Sequence, residues 1–160
     1  MQYADVFEWL DQSHLAVSIR QSPLLFPGIE IVHIIGFIVL VGSAFLFDLR
    51  LLGFAKKLSV KSVADYVLPW SRGSLILVIP SGILLFISQA KALSTNEVFG
   101  LKLILILMAL TNAGIFHRFT FTPTSDWQTS GTPLAAKAAA IISITLWICV
   151  VTCGRLIAYF

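Results

Sequence analysis

Four long apolar runs make up most of this chain: residues 28–47, 73–89, 101–121 and 134–158. Each run is 17 to 25 residues long, which is the length a helix needs to cross a hydrocarbon core of about 30 Å. Hydrophobic residues make up 58% of the chain and charged residues only 12%, so little remains from which to build a soluble domain. We therefore expect an all-α fold: an integral membrane four-helix bundle that forms a single transmembrane domain over residues 1–160.

The segment before the first run, residues 1–27, has a different pattern. Apolar side chains recur there at helical spacing among acidic ones, at Val6, Phe7 and Leu10. This is typical of an amphipathic helix lying in a membrane interface. Ser13 predicts the N-cap of a second short helix that runs to Arg20.

Basic residues cluster between the first and second runs, at Arg50, Lys56, Lys57, Lys61 and Arg72. The positive-inside rule places such a connection in the cytoplasm. Both termini of the multi-pass chain are then expected outside. Because topology accounts for the net charge of +3, we predict the lipid bilayer as the main partner and no nucleic acid. Other membrane subunits or a second copy of the chain are further candidate partners, through faces of small residues.

The first run contains two ionisable residues, Glu30 and His33, spaced to share one helix face with Gly36. Ionisable side chains inside a span are costly and usually functional. Glu30 and His33 are therefore candidate metal ligands, haem-binding residues or a proton relay. The structural alternative pairs Glu30 with Arg155 and makes His33 an ordinary donor between helices.

A second histidine, His117, lies near the end of the third run, three residues after Gly114. Histidines on facing helices hold b-type haem in bundle proteins, and a nearby glycine such as Gly36 leaves room for the macrocycle. The two histidines differ in depth by roughly 16 Å at about 1.5 Å per residue. That offset argues against one haem bridging both and favours an interfacial role for His117.

The only two cysteines, Cys149 and Cys153, share one face of the fourth run. Thiolate and imidazole together select copper(I) or zinc. A metal site built from His33, Glu30, Cys149 and Cys153, capped by His14, is therefore one hypothesis. The alternative is that both cysteines are small packing residues.

Residues 7–53 resemble an uncharacterised family of small four-helix proteins of the bacterial inner membrane. The likeness lies in Trp-Leu, Ser-Pro-Leu-Leu-Phe-Pro, Ile-Glu-Ile-Val-His, Val-Gly-Ser and Asp-Leu-Arg-Leu-Leu-Gly. In outline the family is similar to the membrane domains of copper-resistance and cytochrome b proteins. This resemblance implies the bacterial inner membrane as the location and a redox or metal role, with haem b or copper as the possible cofactor.

The leading function predicted is the handling of a metal ion or b-type haem at an outer-leaflet site around Glu30 and His33, in electron transfer or copper homeostasis. One alternative is a non-catalytic accessory subunit of a larger membrane complex. Another is a small proton-coupled transporter that uses Glu30. The chain has no phosphate-binding glycine loop, nucleophile elbow or zinc-protease motif.

The predicted topology can be tested with reporter fusions. A reporter fused after Phe160 should be active on the outer side, and one inserted near Lys57 on the cytoplasmic side, because the basic connection is retained inside. The opposite pair of activities would reverse the orientation.

Overall fold

The computed structural model describes residues 3–121, 127 and 131–159, and these contain helices but no strand. The α-helices are α1 Tyr3–Asp11, α2 His14–Gln21, α3 Leu25–Leu51, α4 Val60–Ser88, α5 Ala90–Ser94, α6 Glu97–Ile115 and α7 Leu134–Leu156. A π-helix over Phe116–Thr120 continues α6. The prediction of an all-α fold is confirmed.

Four of these helices are long and apolar enough to cross a membrane: α3, α4, α7, and α6 together with its π-helix. Only a small share of their most apolar stretches is buried within the chain, and large side chains such as Ile38, Leu107 and Ile148 face outward. Outward apolar surface of this extent indicates contact with lipid.

The second long helix begins earlier than the sequence predicts, at Val60 rather than at residue 73. Ser59 caps it, since its hydroxyl accepts a hydrogen bond from the Ser62 amide at 2.8 Å. The helix thus also includes residues 60–72, which lie outside the apolar run 73–89. Val60 and Ala64 are buried in the core, so the first turns of α4 belong to the bundle.

The two N-terminal helices pack at one end of the bundle against α4 and α5. Ser13 caps α2 as predicted, accepting a hydrogen bond from the Ala16 amide at 3.2 Å. Arg20 of α2 links α1 to α4. Its guanidinium donates a hydrogen bond to the Ser88 carbonyl of α4 at 2.6 Å and forms an ion pair with Asp11 of α1 at 3.2 Å. An ion pair between Lys91 and Glu8 at 3.1 Å adds a second link.

The bundle has two distinct ends. At the first, which we call the N-terminal end, the Asn96 side chain donates to the Ile157 carbonyl at 3.4 Å, so the C-terminal turn lies beside the connection that precedes α6. At the other, the basic end, the connection between α3 and α4 carries Lys56 and Lys57. Arg50 is buried there and donates to the Leu58 carbonyl at 2.7 Å, which holds this connection in place.

Two apolar clusters hold the four long helices together. One closes the basic end and contains Phe47, Leu51, Val60, Ala64, Phe116, Trp127, Ala136 and Ala140. The other, which we call the apolar layer, crosses the middle of the bundle and contains Leu40, Ala109, Leu146, Trp147 and Val150. α3 packs on α4 and α7, and α7 packs on α6. The backbones of α4 and α6 lie farther apart, and these two helices meet through side chains such as Phe86 and Phe99, whose rings stack with centroids 5.6 Å apart.

The close packing of α3 on α4 leads to a stability prediction for Gly36. In Gly36→Ala the new Cβ would lie 2.9 Å from Val78 Cγ2 and 3.0 Å from Leu77 Cβ, so the two helices must separate. Overpacking of this kind costs roughly 1–3 kcal/mol. We expect a lower Tm for the detergent-solubilised variant, measured by circular dichroism.

The control is Gly42→Ala on the same helix, where an added Cβ meets no atom within 4 Å. This variant should be neutral or stabilising, since alanine is the better helix former by about 1 kcal/mol. Equal effects of the two substitutions would contradict the close α3–α4 contact.

Candidate functional site

His33 points from α3 into the bundle, but towards α4 rather than towards the fourth span. Its Nδ1 lies 3.2 Å from the Val78 carbonyl oxygen and 3.0 Å from the Ser81 hydroxyl. The Ser81 hydroxyl itself donates to the Leu77 carbonyl. Both neighbours of Nδ1 therefore act as acceptors, so Nδ1 carries the proton and Nε2 is left with a free lone pair.

Lys102, a lysine within the third apolar run, is a second ionisable group near His33. It projects from α6 towards α7, where a Cβ on Gly154 would lie 3.5 Å from its Nζ. The ammonium interacts electrostatically with His33 and Cys153. These groups, with Ser81, form a polar cluster near the N-terminal end. A single lysine within an apolar run is the sequence pattern that could have revealed this cluster.

Of the other residues predicted for a metal site, only Cys153 belongs to this cluster, through its interaction with Lys102. Glu30 and His14 are both exposed on the surface of the chain. Cys149 is half-buried, and Cys153 is buried beside Lys102. Within the part of the chain that the structure describes, no three His, Cys, Asp or Glu side chains are grouped so as to hold a metal ion.

The expected pairing of Glu30 with Arg155 is also not formed. Arg155 donates to the Tyr159 hydroxyl at 3.0 Å and lies over the ring of that tyrosine, one turn away on the same helical segment. The ion pairs among the described residues are those of Arg20 and Lys91, so Glu30 takes part in none of them. Arg155 therefore has a local partner, and Glu30 faces away from the bundle.

The two residues singled out for haem, Gly36 and His117, lie in different surroundings. Gly36 is covered by Val78 and Leu77 of α4, so the space beside it is filled by a neighbouring helix. His117 belongs to the basic end, where its ring stacks on Phe47 with centroids 6.4 Å apart. The apolar layer separates His117 from His33, and the structure does not bring the two histidines together.

A cavity of about 180 Å³ lies between the four long helices, on the basic side of the apolar layer. Its lining is largely apolar, with Leu40, Phe47, Ala109, Phe116 and Trp147 among the contributors. The polar side chains of the lining are Asp48, Ser71, Arg72, Asn112, His117 and Ser143. Each long helix contributes at least one of these side chains. We call this space and its lining the Asp48 cavity.

Asp48 is the most unusual residue of this cavity. It is only 7% exposed, and its Oδ2 has no hydrogen-bond partner among the described residues. The Ser143 side chain lies within hydrogen-bonding reach of the carboxyl group. No described cation forms an ion pair with Asp48, although Arg72 and His117 line the same space. One carboxylate oxygen is therefore free to bind a proton or another hydrogen-bond donor.

The remaining polar groups are held by local contacts. The Asn112 amide nitrogen donates to the Ala139 carbonyl of α7 at 3.0 Å, which leaves its side-chain oxygen as an acceptor. The His117 ring also packs edge-on against Phe116, with centroids 5.3 Å apart. The π-helix Phe116–Thr120 places His117 in the lining, and π-helical segments recur at functional sites.

Asp48 was not among the predicted site residues because it lies just beyond the first apolar run, next to basic residues typical of a membrane anchor. Helical spacing could have shown that Asp48 faces inward, because it follows Leu40 and Ala44 at intervals of four and so lies on the same face of the helix. Arg50, two positions later, lies on another face and does bind the connection, as an anchor would.

The polar cluster and the Asp48 cavity are linked by aromatic side chains. His33 stacks on Phe37 with centroids 6.5 Å apart, and Phe37 packs edge-on against Trp147 at 5.9 Å. Trp147 belongs to the apolar layer and also lines the cavity. Along α3, His33 and Asp48 are about 22 Å apart at about 1.5 Å per residue. The bundle thus contains two polar regions with an apolar layer between them.

The comparisons with known proteins concern the family alone. No curated protein and no solved structure matches the chain significantly. The model of a family of unknown function, DUF6644, matches residues 6–160. This match agrees with the expected resemblance to an uncharacterised family, and it extends over nearly the whole chain rather than over its first third. The chain belongs to the DUF6644 family.

Proposed function

We propose that this chain is a small proton-coupled membrane transport protein in which Asp48 is the proton-binding group. The observation that carries the proposal is the Asp48 Oδ2 atom, buried in a cavity and without a hydrogen-bond partner among the described residues. A carboxylate in such a place is costly unless it takes up a proton or binds a cation. Ionisable residues that face a bundle interior are characteristic of proton relays and transport pathways.

The charged and titratable groups around Asp48 fit such a role. Arg72 approaches the cavity from α4 and His117 from the π-helix, while α6 and α7 contribute only the neutral Asn112 and Ser143. Neither Arg72 nor His117 forms an ion pair with Asp48, because the described ion pairs involve other residues. The carboxyl group therefore keeps a site that is available for exchange.

The second polar region supplies a proton-accepting group on the other side of the apolar layer. His33 Nε2 has a free lone pair, because Nδ1 donates to α4, and Lys102 lies nearby. A proton crossing the bundle would pass between His33 and Asp48. The apolar layer, with Val150 fully buried in it, would oppose a continuous leak. Coupling requires such a barrier, since access must alternate between the two sides.

The metal or haem function stays a prediction that the geometry does little to support. No three of its predicted ligands are grouped among the described residues, and Lys102 contributes positive charge near His33, which disfavours a bound cation. One feature does favour His33 as a ligand: the Val78 carbonyl orients its other nitrogen, as is usual for metal-binding histidines. The accessory-subunit function also stays a prediction.

For the location we propose the bacterial inner membrane with the basic end in the cytoplasm. The support is the positive-inside rule applied to the connection that holds Lys56 and Lys57. Because the C-terminal turn and the N-terminal helices lie at the opposite end, both termini would then face outward. The Asp48 cavity would open near the cytoplasmic leaflet.

The proposed function predicts that Asp48→Asn abolishes proton movement without unfolding the protein. Asparagine has the same shape but cannot titrate, so proton flux into liposomes should fall by about tenfold or more. The flux would be measured with an internal pH-sensitive dye after imposing a potassium diffusion potential, with and without an ionophore.

The matched control is Glu30→Gln, which removes a carboxylate from the exposed face of the same helix. Its flux should equal that of the unmodified protein. A loss of proton flux in Glu30→Gln, with no loss in Asp48→Asn, would indicate that Glu30 rather than Asp48 is the proton-binding group. Protein without measurable flux would contradict the proposal altogether.

The role of the apolar layer predicts the opposite effect for a polar substitution within it. Val150→Thr keeps the side-chain shape but adds a hydroxyl between the two polar regions, so uncoupled proton flux should rise. Val151→Thr makes the same change on the neighbouring residue, which is 50% exposed, and should leave the flux unchanged. Equal fluxes in both variants would show that the apolar layer is not the barrier.

A further inference from the structure

The Asp48 cavity is least enclosed between α4 and α6, where its lining residues Arg72, Leu110 and Ala113 are exposed. The pairs α3–α4, α3–α7 and α6–α7 are closely packed, whereas the backbones of α4 and α6 lie farther apart beside the cavity. The side-chain contact between α4 and α6, Phe86 on Phe99, lies towards the N-terminal end and outside the cavity lining. Leu68 and Leu75 face the cavity from α4, and Leu110 and Ala113 face it from α6. A gap edged by apolar side chains within a bilayer gives lipid, rather than water, access to the cavity from the side.

The charges at this site select a particular kind of ligand. Asp48 offers a buried acceptor, and Arg72, exposed at the α4 edge of the opening, offers a cation. These two groups line one cavity but form no ion pair with each other. A simple anion would be repelled by Asp48, and a simple cation by Arg72. A group that carries both an ammonium and a phosphate complements both residues.

The depth of the site matches a lipid headgroup. Asp48 directly follows the apolar run 28–47, and Arg72 directly precedes the run 73–89. Both residues therefore lie at the basic-side edge of an apolar run, from which the long, exposed Arg72 side chain can extend towards the level of phospholipid phosphates. The cavity volume of about 180 Å³ is below the roughly 300–1,000 Å³ of a pocket for a drug-sized ligand. It suits a headgroup whose acyl chains stay in the bilayer.

We propose that the Asp48 cavity binds the headgroup of a phospholipid with a primary ammonium, which enters sideways between α4 and α6. The ammonium donates hydrogen bonds to Asp48 Oδ2, and the phosphate accepts them from Arg72. This inference rests on the proposed function in one respect: the lipid ammonium and the transported proton compete for the same carboxyl group. Lipid binding at the cytoplasmic leaflet would then be linked to proton release.

Binding is tested by native mass spectrometry of the full chain in detergent, with phosphatidylethanolamine, phosphatidylcholine or phosphatidylglycerol added. We expect phosphatidylethanolamine to bind about tenfold more tightly than the other two, since only it combines a primary ammonium with the phosphate. Asp48→Asn should remove this preference. Arg72→Gln should weaken the binding of all three lipids, because each carries a phosphate.

Arg118→Gln is the matched control for Arg72, because it removes a neighbouring exposed arginine that does not line the cavity. It should leave binding of phosphatidylethanolamine unchanged. A Tm within the range of the unmodified protein would show that each variant is folded. A preference for phosphatidylethanolamine that survives Asp48→Asn, or no preference in the unmodified protein, would overturn the inference.

The inference and the proposed function can fail separately. A lipid preference that depends on Asp48, in a protein that carries no proton flux, would leave the headgroup site standing and remove the transport function. Proton flux that depends on Asp48, without a lipid preference, would leave the transport function standing and remove the headgroup site.

Discussion

The burial of the Asp48 carboxyl group is the physical constraint on which the functional account depends. An ionised carboxylate in a low-dielectric interior loses several kcal/mol of hydration, and only a proton, a cation or several hydrogen bonds can restore it. Ser143 supplies one contact, and Oδ2 has none from the described residues. A chain that only needed stability would be better served by an apolar side chain at this position. The presence of a carboxyl group there is therefore best explained by binding.

The surrounding architecture keeps this carboxyl group accessible to an exchanging partner. Aromatic side chains such as Phe47 and Phe116 close the basic end, and the apolar layer closes the path towards His33. The wider spacing of the α4 and α6 backbones leaves a lateral opening beside the exposed lining residues Arg72 and Leu110. The other three sides are packed. In the proposals above, a proton and a lipid ammonium would compete for the same Asp48 oxygen within this one cavity.

Much of the fold could be predicted from the sequence because length and hydropathy determine which segments can cross a bilayer. The four spans, the cap at Ser13 and the common end of both termini followed from such local patterns. The start of α4 did not, because Val60 and Ala64 are stabilised by tertiary packing rather than by an apolar run. Helix boundaries are least predictable where packing decides them.

The candidate site was less predictable, since a sequence reveals which residues are ionisable but not which way they face. Glu30 lies inside an apolar run yet points outward, whereas Asp48 lies at the edge of that run and points inward. His33 was correctly expected to face the bundle, but its partners Val78 and Ser81 on α4 depend on the helix packing order. That order could not be obtained from hydropathy alone.

Exchange of a proton by the Asp48 carboxyl group within the folded bundle can be observed by difference infrared spectroscopy of the reconstituted protein, with aspartate labelled by carbon-13. We expect a carboxylic-acid carbonyl band that appears and disappears as pH changes, is absent in Asp48→Asn and is retained in Glu30→Gln. A spectrum in which no such band depends on Asp48 at any pH would show that this carboxyl group does not exchange a proton.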